Sequence, residues 1–364
     1  MFGGGLGGAS AVNYNTNGDY EVPQCPTDGI SEVAWAKGRN ILACASWDKS
    51  VRIWEVTAQQ TFGAAGGYTA APKVSYNHES PALTCEFSHD MQYLWSAGCD
   101  KKIKVCNLGA AGNPTQDCGT HDAPIRHIKW CQELNMLISG GWDRTLKFWD
   151  FRQGQQATTL QLPERCYAMD LKYPVLVVGT ADLHVLIYNL QNIQQTGAPV
   201  KTVTSNLKMQ TRCVSIFTDK TGWATGSVEG RVYIAYIDES QSGKSFAFKC
   251  HRVDRGHNES DIYPVNSIDF HPQFGTFATT GSDGTFVFWD KDNKQRLKQF
   301  KPVNIAIPCA RFNYDGSIFA YACSYDWHKG HDGALSTNPN KILLHRVTED
   351  EIKNKKPQGG GGRR

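Results

Sequence analysis

The chain has 364 residues, of which 40% are hydrophobic and 20% charged, with a formal net charge of +3. No apolar run approaches the roughly 18 residues of a membrane-spanning helix, so no membrane insertion is expected, and so small a charge excludes a nucleic-acid binder that works by global electrostatics alone. The twelve cysteines form no Cys-x-x-Cys pair and no His/Cys metal spacing; they are expected as buried free thiols, with neither metal nor cofactor.

Residues 1–18 are rich in Gly, Ala and Asn and cannot bury enough apolar surface to fold alone, so a disordered tail is expected there. Residues 1–10 carry neither a basic segment nor an apolar core, so the compartment reads as intracellular. From 19 to 348 one pattern recurs seven times: a β-rich run ending in small residues, an acidic turn residue, and a further run with an apolar or aromatic residue six positions after the acid, except that in the seventh copy residues 327–340 are inserted before the third run resumes at 341–347. The copies are residues 41–54 (ILACASWDKSVRIW), 91–106, 136–149 (MLISGGWDRTLKFW), 175–188, 222–235 (GWATGSVEGRVYIA), 275–289 and 317–326. Their acids are Asp48, Asp100, Asp143, Asp182, Glu229, Asp283 and Asp326, spaced by about forty to the mid-fifties. That period matches four-stranded antiparallel propeller blades of the WD-repeat kind, at about 40–45 residues each. The fold class is therefore all-β, a seven-bladed WD-repeat β-propeller.

Residue chemistry supports this reading. The acid suits a tight turn in which a carboxylate accepts backbone N–H bonds. Small residues before it, such as Ser139-Gly140-Gly141, let neighbouring blades approach, and Trp54, Trp149 and Trp289 fill space between blades and need partners for their indole N–H. Cys106 and Ala235 stand where Trp is expected, so blades two and five are the least typical. His78, His121 and His257 lie near blade starts as partners for a strand Trp or turn Asp, with Gly256-His257 as the clear Gly-His pair. Residues 58–71, rich in Gly and Ala, read as a loop, an N-terminal strand from between Asp19 and Ile30 is expected to close the ring, and residues 349–364 read as a basic, Gly-rich tail.

Gly3, Gly5 and Gly8 match Gly-x-Gly-x-x-Gly, but no strand precedes them and no helix follows, so they carry no dinucleotide site. No phosphate loop, nucleophile elbow or zinc-protease helix is present, and no catalytic residue is assigned. Two basic clusters remain: Lys249, His251, Arg252 and Arg255 with Lys291, Lys294, Arg296, Lys298 and Lys301, and the C-terminal tail.

Several stretches carry a family resemblance: residues 162–167 (LPERCY), 226–232 (GSVEGRV), 246–252 (FAFKCHR), 261–265 (DIYPV), 281–291 (GSDGTFVFWDK) and 317–330 (SIFAYACSYDWHKG). The chain resembles the mRNA export factor family of WD-repeat propellers. The resemblance implies a non-enzymatic, monomeric adaptor at the nuclear pore that shuttles between nucleus and cytoplasm and supports mRNA export. Its implied partner is the GLEBS segment of a Gly-Leu-Phe-Gly nucleoporin, with weak, sequence-tolerant binding of RNA and contacts to mitotic checkpoint or spindle proteins. Carried over residue by residue, the partner site comprises Arg231, Phe248, Trp289, Asp290 and Lys291, with Lys294 and Arg296 in the neighbouring basic stretch. The alternative resemblance is to the related checkpoint propeller that serves as a scaffold at kinetochores.

Overall fold

The computed structural model describes residues 13–59, 67–151, 155–257 and 259–354. Seven four-stranded antiparallel sheets stand around a central channel. Blade one is Ile30–Trp35, Ile41–Ser46, Ser50–Ala58 and Tyr68–Asn77, and blade two Ala82–Phe87, Tyr93–Gly98, Lys102–Asn107 and Thr115–Thr120. Blade three is Ile125–Cys131, Met136–Gly141, Thr145–Asp150 and Gln155–Gln161, and blade four Cys166–Lys172, Val175–Thr180, His184–Asn189 and Lys201–Thr204. Blade five is Thr211–Ile216, Gly222–Ser227, Arg231–Tyr236 and Phe246–Lys249; blade six is Val265–Phe270, Phe277–Gly281, Phe286–Asp290 and Gln295–Gln299. Blade seven is Ala310–Phe312, Ile318–Cys323 and Lys341–Arg346, and Tyr20–Glu21 pairs with its third strand through Tyr20↔Leu344 and Glu21↔Leu343.

The second strand of each blade is covered on both faces by neighbouring blades, which is why Met136–Gly141 and Gly222–Ser227 are buried throughout while outer strands alternate or face solvent. Glycine sets the closest approach: a Cβ on Gly140 would fall 2.6 Å from Cys166 Sγ of blade four. The turn after each second strand has one shape. The residue following the acid takes positive φ in all seven blades, at Lys49, Lys101, Arg144, Leu183, Gly230, Gly284 and Trp327.

Under these turns lies a shared side-chain relay. In blade three, His121 Nδ1 meets Asp143 at 2.8 Å, His121 Nε2 meets Ser139 Oγ at 2.7 Å, and Trp149 Nε1 donates to the same Ser139 oxygen at 2.8 Å. Blade two repeats it with His78, Asp100 and Ser96, lacking the Trp because Cys106 stands there. Blade six corrects the sequence expectation. The relay histidine is His251, which meets Asp283 and Thr279 at 2.9 Å each, and Trp289 Nε1 donates to Thr279 Oγ1 at 2.9 Å. His257 is exposed, in the turn of an extra hairpin, Arg252–Gly256 and Glu259–Ile262, inserted between His251 and the blade.

Two further expectations change. The expected loop is narrower than 58–71: Ala58 and residues 68–71 are strand, with Ala58↔Tyr68 and Val56↔Ala70 paired and Tyr20 Oη accepting from Ala70 N at 3.0 Å, because backbone pairing is indifferent to small side chains, while residues 60–66 lie outside the described residues. The ordered unit also extends past 19–348. Thr16 Oγ1 donates to the Pro302 carbonyl at 2.9 Å, and the helix Glu349–Ile352 buries Ile352 completely among blade six and seven side chains. Residues 1–12 and 355–364 lie outside the described residues.

His345 joins both ends of the chain to the last blade, with Nδ1 2.8 Å from Asp19 and Nε2 3.2 Å from Glu351. Burial alone would lower its pKa, but the two carboxylates outweigh burial and raise it to about 9. A histidine raised above its unfolded value of about 6.5 contributes stability that is complete below that value and lost as pH rises through about 9. The melting temperature should therefore fall between pH 6 and pH 9.5, and His345→Gln should flatten that fall; equal slopes in the two proteins would remove the clasp from the stability account.

Candidate functional site

The seven acid turns and the connections between blades gather at one end of the channel, and three exposed tryptophans adjoin those turns. Trp47 and Trp142 precede Asp48 and Asp143, and Trp327 follows Asp326; they are 39%, 37% and 48% exposed. Trp47 and Trp327 lie 6.3 Å apart. With Tyr167 and Tyr325 they rim a mouth of about 340 Å³ whose walls include Arg126 and Arg212. Arg212 donates to Asn266 Oδ1 at 3.1 Å and stands 3.9 Å from Asp326, whose own pKa is lowered to about 2: the bonds it accepts from His328 and Ser282, with Arg212's charge, outweigh burial. Arg126 donates to the Leu83 carbonyl at 3.3 Å and makes no ion pair among the described residues. Burial lowers its pKa, Glu32 opposes that, and the like charge of Arg212 adds to it. Such a guanidinium is poised for an anion.

The residues assigned by resemblance lie along the outer seam of blades five and six. Phe248 is half-buried, packs 4.7 Å from Trp289 and 6.1 Å from Phe246, and Lys294 Nζ lies 4.8 Å over the Phe246 ring. Arg231 heads the third strand of blade five beside Val232, the cross-strand partner of Phe248, with its side chain 36% exposed and Nε 3.5 Å from Glu229. Arg231 thus stands at the channel-mouth end of the seam and Lys294 at the opposite end. Arg296, exposed and opposite Trp289 across the hairpin, bonds Gln299 at 2.6 Å. Asp290 and Lys291 have other duties. Asp290 is 2% exposed and accepts from Asp292 N, Asn293 N and Asn293 Nδ2 at 2.9, 3.0 and 2.7 Å, which shapes the turn that presents Lys294. Lys291 is buried over the Phe217 ring and paired with Asp292.

Phe246, Trp47, Trp142, Trp327, Arg126 and Arg212 were not singled out from sequence. An aromatic residue next to the turn acid in three blades was the available signal. Among the described residues no cluster of His, Cys, Asp and Glu is placed to hold a metal, and burial pushes the Cys166 and Cys213 thiols up to about 12.

Residues 21–55, 112–150 and 248–290 match the family model described as WD domain, G-beta repeat. The chain is 44% identical to the "Poly(A)+ RNA export protein" of Schizosaccharomyces pombe, over 94% of this chain and 94% of that protein. It is 44% identical to the "mRNA export factor GLE2" of Chaetomium thermophilum over 92% of each, and 44% identical to "Protein RAE1" of Arabidopsis thaliana over 99% of each. Similarity at this level and over nearly the whole length, in a chain whose own fold is a seven-bladed propeller, means that the chain belongs to the mRNA export factor family of WD-repeat propellers.

Proposed function

We propose that this chain is a non-enzymatic adaptor at the nuclear pore that holds the GLEBS segment of a Gly-Leu-Phe-Gly nucleoporin and supports the export of mRNA. Relatives named for poly(A)+ RNA and mRNA export support the second half of that reading. The observation that carries the first half is the channel mouth, where Arg126, without an ion pair among the described residues, and neighbouring Arg212 sit among exposed tryptophans. Arginine beside aromatic surface is a hot-spot composition suited to an extended, acid-bearing peptide. Such a segment leaves the mouth over the blade five and six seam, past Arg231 and Phe248. RNA contact falls to the basic side chains of that seam. Phe248 and Trp289 pack against each other, 4.7 Å apart and tilted by 49°, and offer no open stacking platform, so binding is weak, tolerant of sequence and governed by salt.

The seam is tested by Arg231→Glu. The reversal sets a second carboxylate beside Glu229 and should cost on the order of 2–4 kcal/mol in calorimetric binding of a GLEBS peptide. The melting temperature should hardly move, because the ion pair lost is a partly exposed one at 3.5 Å. Wild-type affinity in the folded variant would remove Arg231 from the site.

A further inference from the structure

A groove of about 690 Å³ lies at the opposite end of the blades from the channel mouth, at the seam of blades two and three. Its origin is one substitution in the repeat. Five residues before the turn acid, blades one, three, four, five and six carry Ala43, Ile138, Val177, Ala224 and Ala278 facing the following blade, and blade seven turns Ala320 to blade one and Tyr321 to blade six, whereas blade two carries Trp95. The large ring stacks 4.5 Å from Trp130 of blade three, lies parallel to Phe151 at 5.8 Å and meets Tyr93 at 5.9 Å. It is 3% exposed, and its indole N–H has no partner among the described residues. Tyr93 is 39% exposed at the rim. This seam therefore ends in an aromatic hollow.

The polar rim has one sign. Among the described residues lining the groove the charged ones are Asp90 and Asp117, with no lysine or arginine. Asp117 is shared by Lys102 and Lys104 at 3.1 Å each. Asp90 accepts from Ser88 Oγ at 2.6 Å and Gln92 N at 3.1 Å and makes no ion pair among the described residues. Gln116, Gln132 and Asn135 add amide oxygens, of which that of Gln132 already takes the Trp130 N–H at 3.1 Å. Ring faces carry negative potential, so rings plus an unpaired carboxylate select a cation. A guanidinium fits better than an ammonium: it is planar, sheds water more readily, stacks on aromatic faces, and spreads five donors over several acceptors.

We propose that this groove binds an arginine side chain presented by an extended segment of a partner protein. The volume accommodates the side chain together with flanking residues. The site shares no residue with the channel mouth, so it stands or falls independently of the nucleoporin reading and leaves both surfaces free to be occupied together.

The test uses the full chain and a fluorescein-labelled, acetylated Gly-Gly-Arg-Gly-Gly amide followed by anisotropy. Saturable binding is expected, at least tenfold weaker for the citrulline peptide and for an Asp90→Asn/Tyr93→Ala double variant. Both of those residues are exposed, and the Asp90→Asn change keeps a side-chain oxygen for the Ser88 and Gln92 bonds, so an unchanged melting temperature verifies the variant's fold. Arg126→Met, at the other end of the ring, should bind the peptide as wild type does. Absence of saturable binding, equal affinity for citrulline, equal affinity in the double variant, or tighter binding of a trimethyl-lysine peptide would each overturn the proposal.

Discussion

Trp149→Ala should lower stability by about 3–5 kcal/mol, the range for removing a large buried aromatic. Trp149 is 5% exposed and packs between blades two and three against Trp95, Ile103, Ile125 and Ile128, and a Cβ on Gly119 would fall 2.9 Å from its ring. Its loss also takes one donor from Ser139, the oxygen that orients His121 toward Asp143. The relay holds the Asp143 carboxyl down at about 2 against the opposing effect of burial. The corresponding position of blade two is already Cys106, so Cys106→Ala should cost about 1 kcal/mol, in proportion to the smaller group removed. Urea denaturation midpoints compare the two directly. Equal losses would mean that the third-strand Trp is not what fastens neighbouring blades.

Arg126→Met should separate stability from binding. The free chain keeps this guanidinium half-buried, without an ion pair among the described residues and near Arg212. Replacing a desolvated charge by an apolar side chain of similar length is neutral or stabilising. Binding of a GLEBS peptide should nevertheless fall by on the order of 2–4 kcal/mol, because an acid that enters the mouth loses its pairing partner. A variant that melts lower and binds the peptide as wild type does would make Arg126 structural and move the partner elsewhere.

The blades were legible because their signals are local. The acid, the positive-φ residue after it and the third strand that follows are fixed by one hairpin, with Trp six positions on in blades one, three and six, and seven copies leave little freedom. His251 was obscured by distance. Relay histidines in blades two and three precede their acids by 22 residues, whereas the inserted hairpin stretches the interval in blade six to 32, so Gly256-His257 looked better placed. The channel mouth was illegible for a different reason: Trp47, Arg126, Trp142, Arg212 and Trp327 are spread over blades one, three, five and seven, and only ring closure brings them together. Along the seam, Phe248 and Trp289 were found because both belong to continuous family stretches. The burial of Asp290 was not, since a capping carboxylate and a surface one look alike in sequence.

Affinity capture from nuclear extract is the decisive measurement for adaptor function through a nucleoporin segment. With the tagged chain as bait and Arg126→Met beside it, a Gly-Leu-Phe-Gly nucleoporin should be recovered on the wild-type chain and depleted on the variant. Recovery of checkpoint kinases alone, with no such nucleoporin on either bait, would contradict it and favour the kinetochore scaffold.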